Sequence, residues 1–142
     1  MPPVEVIREP QQVTILAANG CAVVEFPAPH VALMICEGIA YEDFVEPMAR
    51  EIEQRCPATL VLAVDASALS SYETGFRKRW TDWLAARKPN AVLVLVQSRL
   101  VAMGVAVANA VLGGAIRSFN SRAEFERALA VEREHHSTSV NA

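Results

Sequence analysis

The 142-residue sequence has no cysteine pair at metal or redox spacing. Its three cysteines, Cys21, Cys36 and Cys56, are scattered and odd in number, so neither a Cys-X-X-Cys zinc site nor a dithiol couple can be read from them. Each lies in an apolar segment and is expected as a small core residue, a usage that fits a reducing cytoplasm. Positive charge is also short. Thirteen Lys and Arg stand against sixteen Asp and Glu, a formal net charge of −3. No basic excess remains to neutralise phosphates, which argues against a nucleic-acid binder. The cluster Arg77-Lys78-Arg79 is brief and reads as a solvated helix face. The chain does not open on a basic stretch followed by an apolar run, so no secretory leader is expected. No integral membrane segment is expected either. The run at 100–116 falls short of the ~20 residues that a spanning helix needs, and Asn109 and three glycines interrupt it.

Catalytic signatures are missing too. The chain has no G-x-S-x-G, no G-x-x-x-x-G-K-[ST], no G-x-G-x-x-G and no H-E-x-x-H. His30 stands alone beside Pro29, His135 and His136 fall in the tail, and no cysteine has a histidine nearby in sequence. A nucleophile and base would have to be assembled from distant segments. The expectation is a protein that is not an enzyme and uses no cofactor and no metal.

What is present is apolar bulk. The hydrophobic fraction of 52% and the length predict one domain with a sizeable core. Residues 1–12, with three prolines, read as a loose lead-in, 13–134 as the domain, and 135–142 as a frayed tail. Residues 13–18 and 21–26 are apolar runs flanking Asn19-Gly20, a strong hairpin signal because both turn positions need positive φ. Residues 31–36 give a third strand, and Glu37-Gly38 breaks the chain. Tyr41, Phe44, Val45, Met48 and Ile52 share one face of a helix over 41–55. Pro47 is tolerated if that helix begins near Val45.

Residues 60–64 (LVLAV) are continuously apolar, as in a strand covered on both faces. A helix follows over about 72–87 with Phe76, Trp80, Trp83 and Leu84 as its stripe. The two tryptophans are read as core, with a ligand platform as the alternative. Strand 91–96, a helix over 99–112 capped by Ser98, strand 115–119 and a helix over 122–134 with a Ser121–Glu124 capping box complete the chain. Alternation of this kind gives parallel strands. The fold class is therefore α/β, a single mixed sheet with an N-terminal antiparallel meander, then parallel strands, and about four helices.

Two places attract attention. Asp65 ends strand 60–64, where open α/β sheets put their ligand sites, and Ser67, Ser70, Ser71 and Thr74 follow. Ser70 and Glu73 have capping-box spacing, so this stretch reads as a helix start, with a binding or phosphorylation role as the alternative. The second place is the helix 99–112. Met103, Val107 and Val111 lie on one face, while Val101, Val105, Ala108 and Leu112 lie on another. A helix apolar all round is enclosed or meets a partner. Asn109 is the single polar group expected on such an apolar patch.

The order of elements, with Asp65-Ala-Ser67-Ala-Leu69 closing a strand and Glu73-Thr74-Gly75 opening a helix, resembles the STAS domain of sulfate transporters and anti-sigma-factor antagonists. Residues 68–85 (ALSSYETGFRKRWTDWLA), followed by a strand and by a helix carrying Met103-Gly104 and ending Leu112-Gly113, are similar to bacterial STAS-like proteins grouped with lipid-transfer CRAL-TRIO domains. The resemblance covers about residues 60–129. In the antagonists an Asp-Ser-Ser-Gly-like segment carries a serine that a partner kinase phosphorylates. Here Glu73-Thr74-Gly75 stands in its place, so the resemblance implies Thr74, then Ser71, as phosphoacceptor. The CRAL-TRIO likeness implies an apolar cleft lined by the helix 99–112.

The leading expectation is a cytoplasmic signalling module that presents residues 65–75 and the helix 99–112, with Met103, Val107 and Asn109, to a protein partner such as a regulator or kinase. The alternative is a carrier of a small apolar molecule or lipid. Homodimer formation through the apolar helix is a third reading.

Overall fold

Continuous apolar runs mark the buried strands, and the pairing of those strands sets the architecture. The computed structural model describes residues 3–141, with side chains through residue 136. Among these residues the chain forms one seven-stranded sheet whose spatial order follows the sequence. The strands are β1 (Glu5–Arg8), β2 (Gln12–Ala17), β3 (Gly20–Ala28), β4 (Val31–Ala40), β5 (Val61–Tyr72), β6 (Ala91–Leu95) and β7 (Ile116–Phe119). The helices are α1 (Val45–Arg55), α2 (Thr74–Arg87), α3 (Arg99–Val111) and α4 (Arg122–Asn141), with a 3₁₀ turn at Glu42–Phe44 before α1. β1 to β4 pair antiparallel, and β4 to β7 pair parallel. The α/β class and the mixed sheet agree with the sequence reading.

Crossovers of one hand between adjacent parallel strands put their helices on one face of the sheet. The larger core lies on that face, where Ile15, Val24, Met34, Leu62 and Val94 of the strands meet Met48 of α1, Trp80 of α2 and Val101 of α3. The opposite face is covered by α4, whose Phe125 packs on Ala63, Leu93 and Leu95. This two-sided cover is why β6 and the first four residues of β5 carry no polar alternation.

Several boundaries differ from expectation. The lead-in contains a strand: β1 pairs with β2, and Arg8 forms an ion pair with the buried Glu51 of α1. The β2–β3 hairpin forms, but its turn residues are Ala18 and Asn19, since Ala17 pairs with Gly20. Neither Asn19 nor Gly20 has positive φ. Gly20 is required instead because β4 passes so close that a side chain there would overlap the Ile39 carbonyl oxygen. Glu37-Gly38 does not break the chain. Gly38 takes φ +73 and β4 runs on to Ala40. Pro47 falls in the first turn of α1, where no intrahelical donor is lost. Ser98 accepts a hydrogen bond from the Val101 amide at 3.1 Å, as expected of its cap. The last helix continues to Asn141 where fraying was expected from residue 135. Met1, Pro2 and Ala142, and the side chains beyond residue 136, lie outside the described residues. No helix among the described residues is long and apolar enough to cross a membrane.

Candidate functional site

The stretch expected as a hydroxyl-rich turn is strand. β5 continues seven residues past Asp65, because the extended β4 supplies a partner: Glu37 pairs with Ala68, Ile39 with Ser71, and Ala40 with Tyr72. The register slips twice along this pairing, once between Ile35 and Glu37 and once between Gly38 and Ile39, each time leaving one extra residue on β5. These are β-bulges, and polar side chains hold both. Asp65 Oδ1 accepts the Ser67 amide at 3.0 Å and the Ser67 hydroxyl at 2.6 Å. Ser70 donates its hydroxyl to the Gly38 carbonyl at 2.9 Å.

Asp65 is buried on the α4 side, and Arg122 at the start of α4 closes it off. The guanidinium lies 3.0 Å from Asp65 Oδ2 and donates to Ser67 Oγ at 2.9 Å. Burial alone would raise the Asp65 pKa, but the hydrogen bonds from Ser67 and the Arg122 charge outweigh it, and the carboxyl sits below its ordinary value. Its acceptors are thus occupied within the chain. The Ser70–Glu73 capping box does not form. Glu73 is the N-cap of α2 without a side-chain cap, and its carboxylate accepts the Glu42 amide at 2.7 Å. Ser71 is half-buried in β5, and Thr74 is exposed as the first residue of α2. Asp65 and Ser67 are therefore brought together, while Ser70, Ser71 and Thr74 are spread along a strand and into the next helix.

The helix α3 separates its two apolar faces. Leu100, Met103, Val107 and Val111 point outward, with Met103 66% and Val111 69% exposed. Val101, Gly104, Val105 and Ala108 face the sheet. Asn109 belongs to neither group. Its Oδ1 accepts the Ile116 amide at 2.7 Å and its carbonyl accepts the Gly114 amide at 2.9 Å, so it shapes the turn into β7.

Beneath the inward face of α3 lies a cavity of about 110 Å³. Its floor is the sheet, with Met34, Leu62 and Val94. Its walls are Phe76 and Trp80 of α2 and the four inward residues of α3. Tyr72, at the end of β5, reaches across so that a side chain on Gly104 would overlap its hydroxyl. Cys36 also lines the cavity, and burial first, then the Asp65 and Cys21 charges, push its thiol up to about 12. The volume approaches the ~150 Å³ of an engineered apolar cavity that stays dry and takes up benzene. Trp80 is only 7% exposed, and its indole N–H has no partner among the described residues. His30, packed in the β3–β4 turn, donates through Nε2 to the Arg133 carbonyl, and its Nδ1 has no partner among the described residues. Among the described residues no three His, Cys, Asp or Glu side chains gather where they could hold a metal ion.

Tyr72, Trp80 and Gly104 are the residues that pattern reading undervalued. The signal was present: Gly104 and Ala108 stand at i,i+4 on an otherwise valine-rich helix, and a face of small side chains leaves space over a sheet.

No protein-family model matches the sequence, and no curated protein matches it. Among solved structures the chain is similar to an uncharacterized protein of the DUF3478 family, with a SpoIIAA-like fold, from Shewanella loihica PV-4. The two share 14% identity with a TM-score of 0.53, over 89% of this chain and 92% of that one. The fold is thus SpoIIAA-like, that is STAS-like, in agreement with the sequence resemblance.

Proposed function

We propose that this STAS-like domain binds a small apolar molecule in the cavity between α2, α3 and the sheet, and that its role is carriage or sensing of that molecule, without catalysis. The observation that carries this reading is the cavity itself, set where the space could have been closed by a single larger residue at Ala108. Natural cores seldom keep such a void, because each lining group forgoes its packing partners. The residues once expected to present themselves to a partner, Asp65, Ser67 and Ser70, are spent on holding bulges. A solvatochromic apolar dye, N-phenyl-1-naphthylamine, tests the reading. Its fluorescence should rise on mixing with the wild-type protein and with Met103→Asp. Ala108→Phe, which fills the cavity, should abolish the rise. Equal signals from wild type and Ala108→Phe would refute it.

A second reading has its own observation. The outward stripe Leu100, Met103, Val107 and Val111 is an exposed apolar face on one helix. It supports a STAS-type interaction module whose partner is a second protein or a second copy of this chain. Thr74, exposed at the start of α2, is the hydroxyl that a partner kinase would reach. Light scattering of wild type against Met103→Asp, together with phosphorylation of wild type against Thr74→Ala, would test these two points. A monomer in both cases and no difference in phosphate uptake would remove this reading.

A further inference from the structure

Four of the six large apolar side chains exposed among the described residues lie on α3: Leu100, Met103, Val107 and Val111. Ala106 and Ala110 between them are exposed as well. Residues 96–116 hold a single charged side chain, Arg99, and no acid. Gly104 fixes the orientation of this stripe. It abuts Tyr72, the end of β5, just before α2 begins. Leu100, Val107 and Val111 stand four, three and seven positions from Gly104, so they share its flank of the helix. Asn109 is on the other flank and holds the start of β7. The stripe therefore opens to solvent on the α2 side of α3.

Charge is distributed to match. Residues 74–123 carry eight of the thirteen Lys and Arg but one of the sixteen Asp and Glu, Asp82. The acid excess of the chain lies outside this span. α2 and α3 run in the same direction, since each returns from the end of one parallel strand to the start of the next. Lys78 is thus level with the first turns of α3, and Lys88 with its last. Lys78, Lys88 and Arg99 are exposed, and among the described residues no carboxylate pairs with them.

Resting on the reading of the α3 stripe as a contact face, we infer that its partner is the surface of an anionic lipid bilayer. An apolar stripe bordered by cations suits a helix that lies in the plane of the interface. Its apolar side chains enter the acyl boundary, and its Lys and Arg meet the headgroups. A stripe of four such side chains covers a few hundred Å², short of the ~800 Å² that each partner in a stable protein complex buries. A second copy would also bring the same cations against one another. On a bilayer, the cavity under α3 lies one helix away from the acyl chains.

Flotation of the full chain with vesicles tests this. Equimolar phosphatidylcholine and phosphatidylglycerol should carry the protein upward, and pure phosphatidylcholine should bind it about tenfold less or worse. Added salt should weaken binding, because it screens the headgroup attraction. Lys78→Gln and Arg99→Gln should each weaken it roughly fivefold at low salt. Met103→Gln removes apolar surface at an exposed position without adding charge. It should weaken binding about tenfold with an unchanged melting temperature. Equal binding to both vesicle types, equal binding of wild type and Met103→Gln, or no binding at all overturns the inference. Light scattering then separates the two failures. A wild-type dimer that Met103→Asp dissociates keeps the stripe as a contact face, and only its lipid partner falls. A monomer in both removes the contact face as well.

Discussion

At the scale of single residues, Asp65 changes character most between sequence and structure. An acid at the carboxyl end of a parallel strand invites a functional reading. In the fold it is an anchor, satisfied by Ser67 and Arg122. Asp65→Asn should lower stability by about 1–3 kcal/mol at pH 7, read by urea denaturation, because Arg122 loses its charge partner and the bulge loses an acceptor. The carboxyl ionises at lower pH in the folded chain than in the unfolded one. Its stabilisation is complete above the unfolded value of ~3.9 and fades as pH drops through the folded value. The gap between wild type and Asp65→Asn should thus narrow below about pH 4. The thiols give a second prediction. Burial, partly offset by the Arg87 and Arg55 charges, raises Cys56 to about 11, and Cys36 stands at about 12. Cys21 is only half-buried. Iodoacetamide at pH 8 should alkylate Cys21 in the native protein and Cys36 and Cys56 only after denaturation, as peptide masses would reveal. Alkylation of Cys36 at the rate of Cys21 would mean that the cavity wall opens to water.

At the scale of elements, β5 and α3 are where local pattern and fold diverge. Ser67, Ser70 and Ser71 read as a turn because serine competes locally for backbone groups. Their strand conformation comes from β4, which continues through Gly38 and offers a ladder that no local window contains. Gly38→Ala is therefore expected to cost more than ~2 kcal/mol, since positive φ is unfavourable for alanine and the new methyl overlaps the Asn19 carbonyl oxygen. Gly104→Ala should behave differently. Alanine gains about 1 kcal/mol of helix propensity, which offsets the displacement of the Tyr72 hydroxyl and ring edge that its methyl overlaps. Thermal denaturation should show little change, while dye uptake falls because the cavity shrinks. The two-faced apolarity of α3 was legible in its valines. Which face is outward was not, because periodicity defines stripes without saying where the sheet lies.

At the scale of the molecule, the sheet is covered unequally. Three helices seal one face and α4 seals the other, with Phe125 buried at its centre. Phe125→Ala should cost about 3–5 kcal/mol, measured by chemical denaturation, because Ala63, Leu93 and Leu95 have no other aromatic cover from α4. The cavity sits on the thicker side, between α2 and α3. Its position between elements explains why no single segment announced it.

The apolar runs and caps of this chain sufficed for the strands at β5, β6 and β7, the helices between them, the mixed sheet and the STAS-like class, because burial on both faces and helix capping leave local marks; that β4 also pairs parallel, with β5, was not legible. Ser98 and the start of α1 around Pro47 were legible for the same reason. Tertiary structure alone decided that Asp65 is locked by Arg122, fifty-seven positions on in the chain; that Asn109 serves a turn; and that small residues of α3 face tryptophan across an open space. Those outcomes depend on which strand pairs with which and where a helix comes to rest. Both are set by long-range contacts, whose partners lie too far apart in sequence for any local pattern to join them.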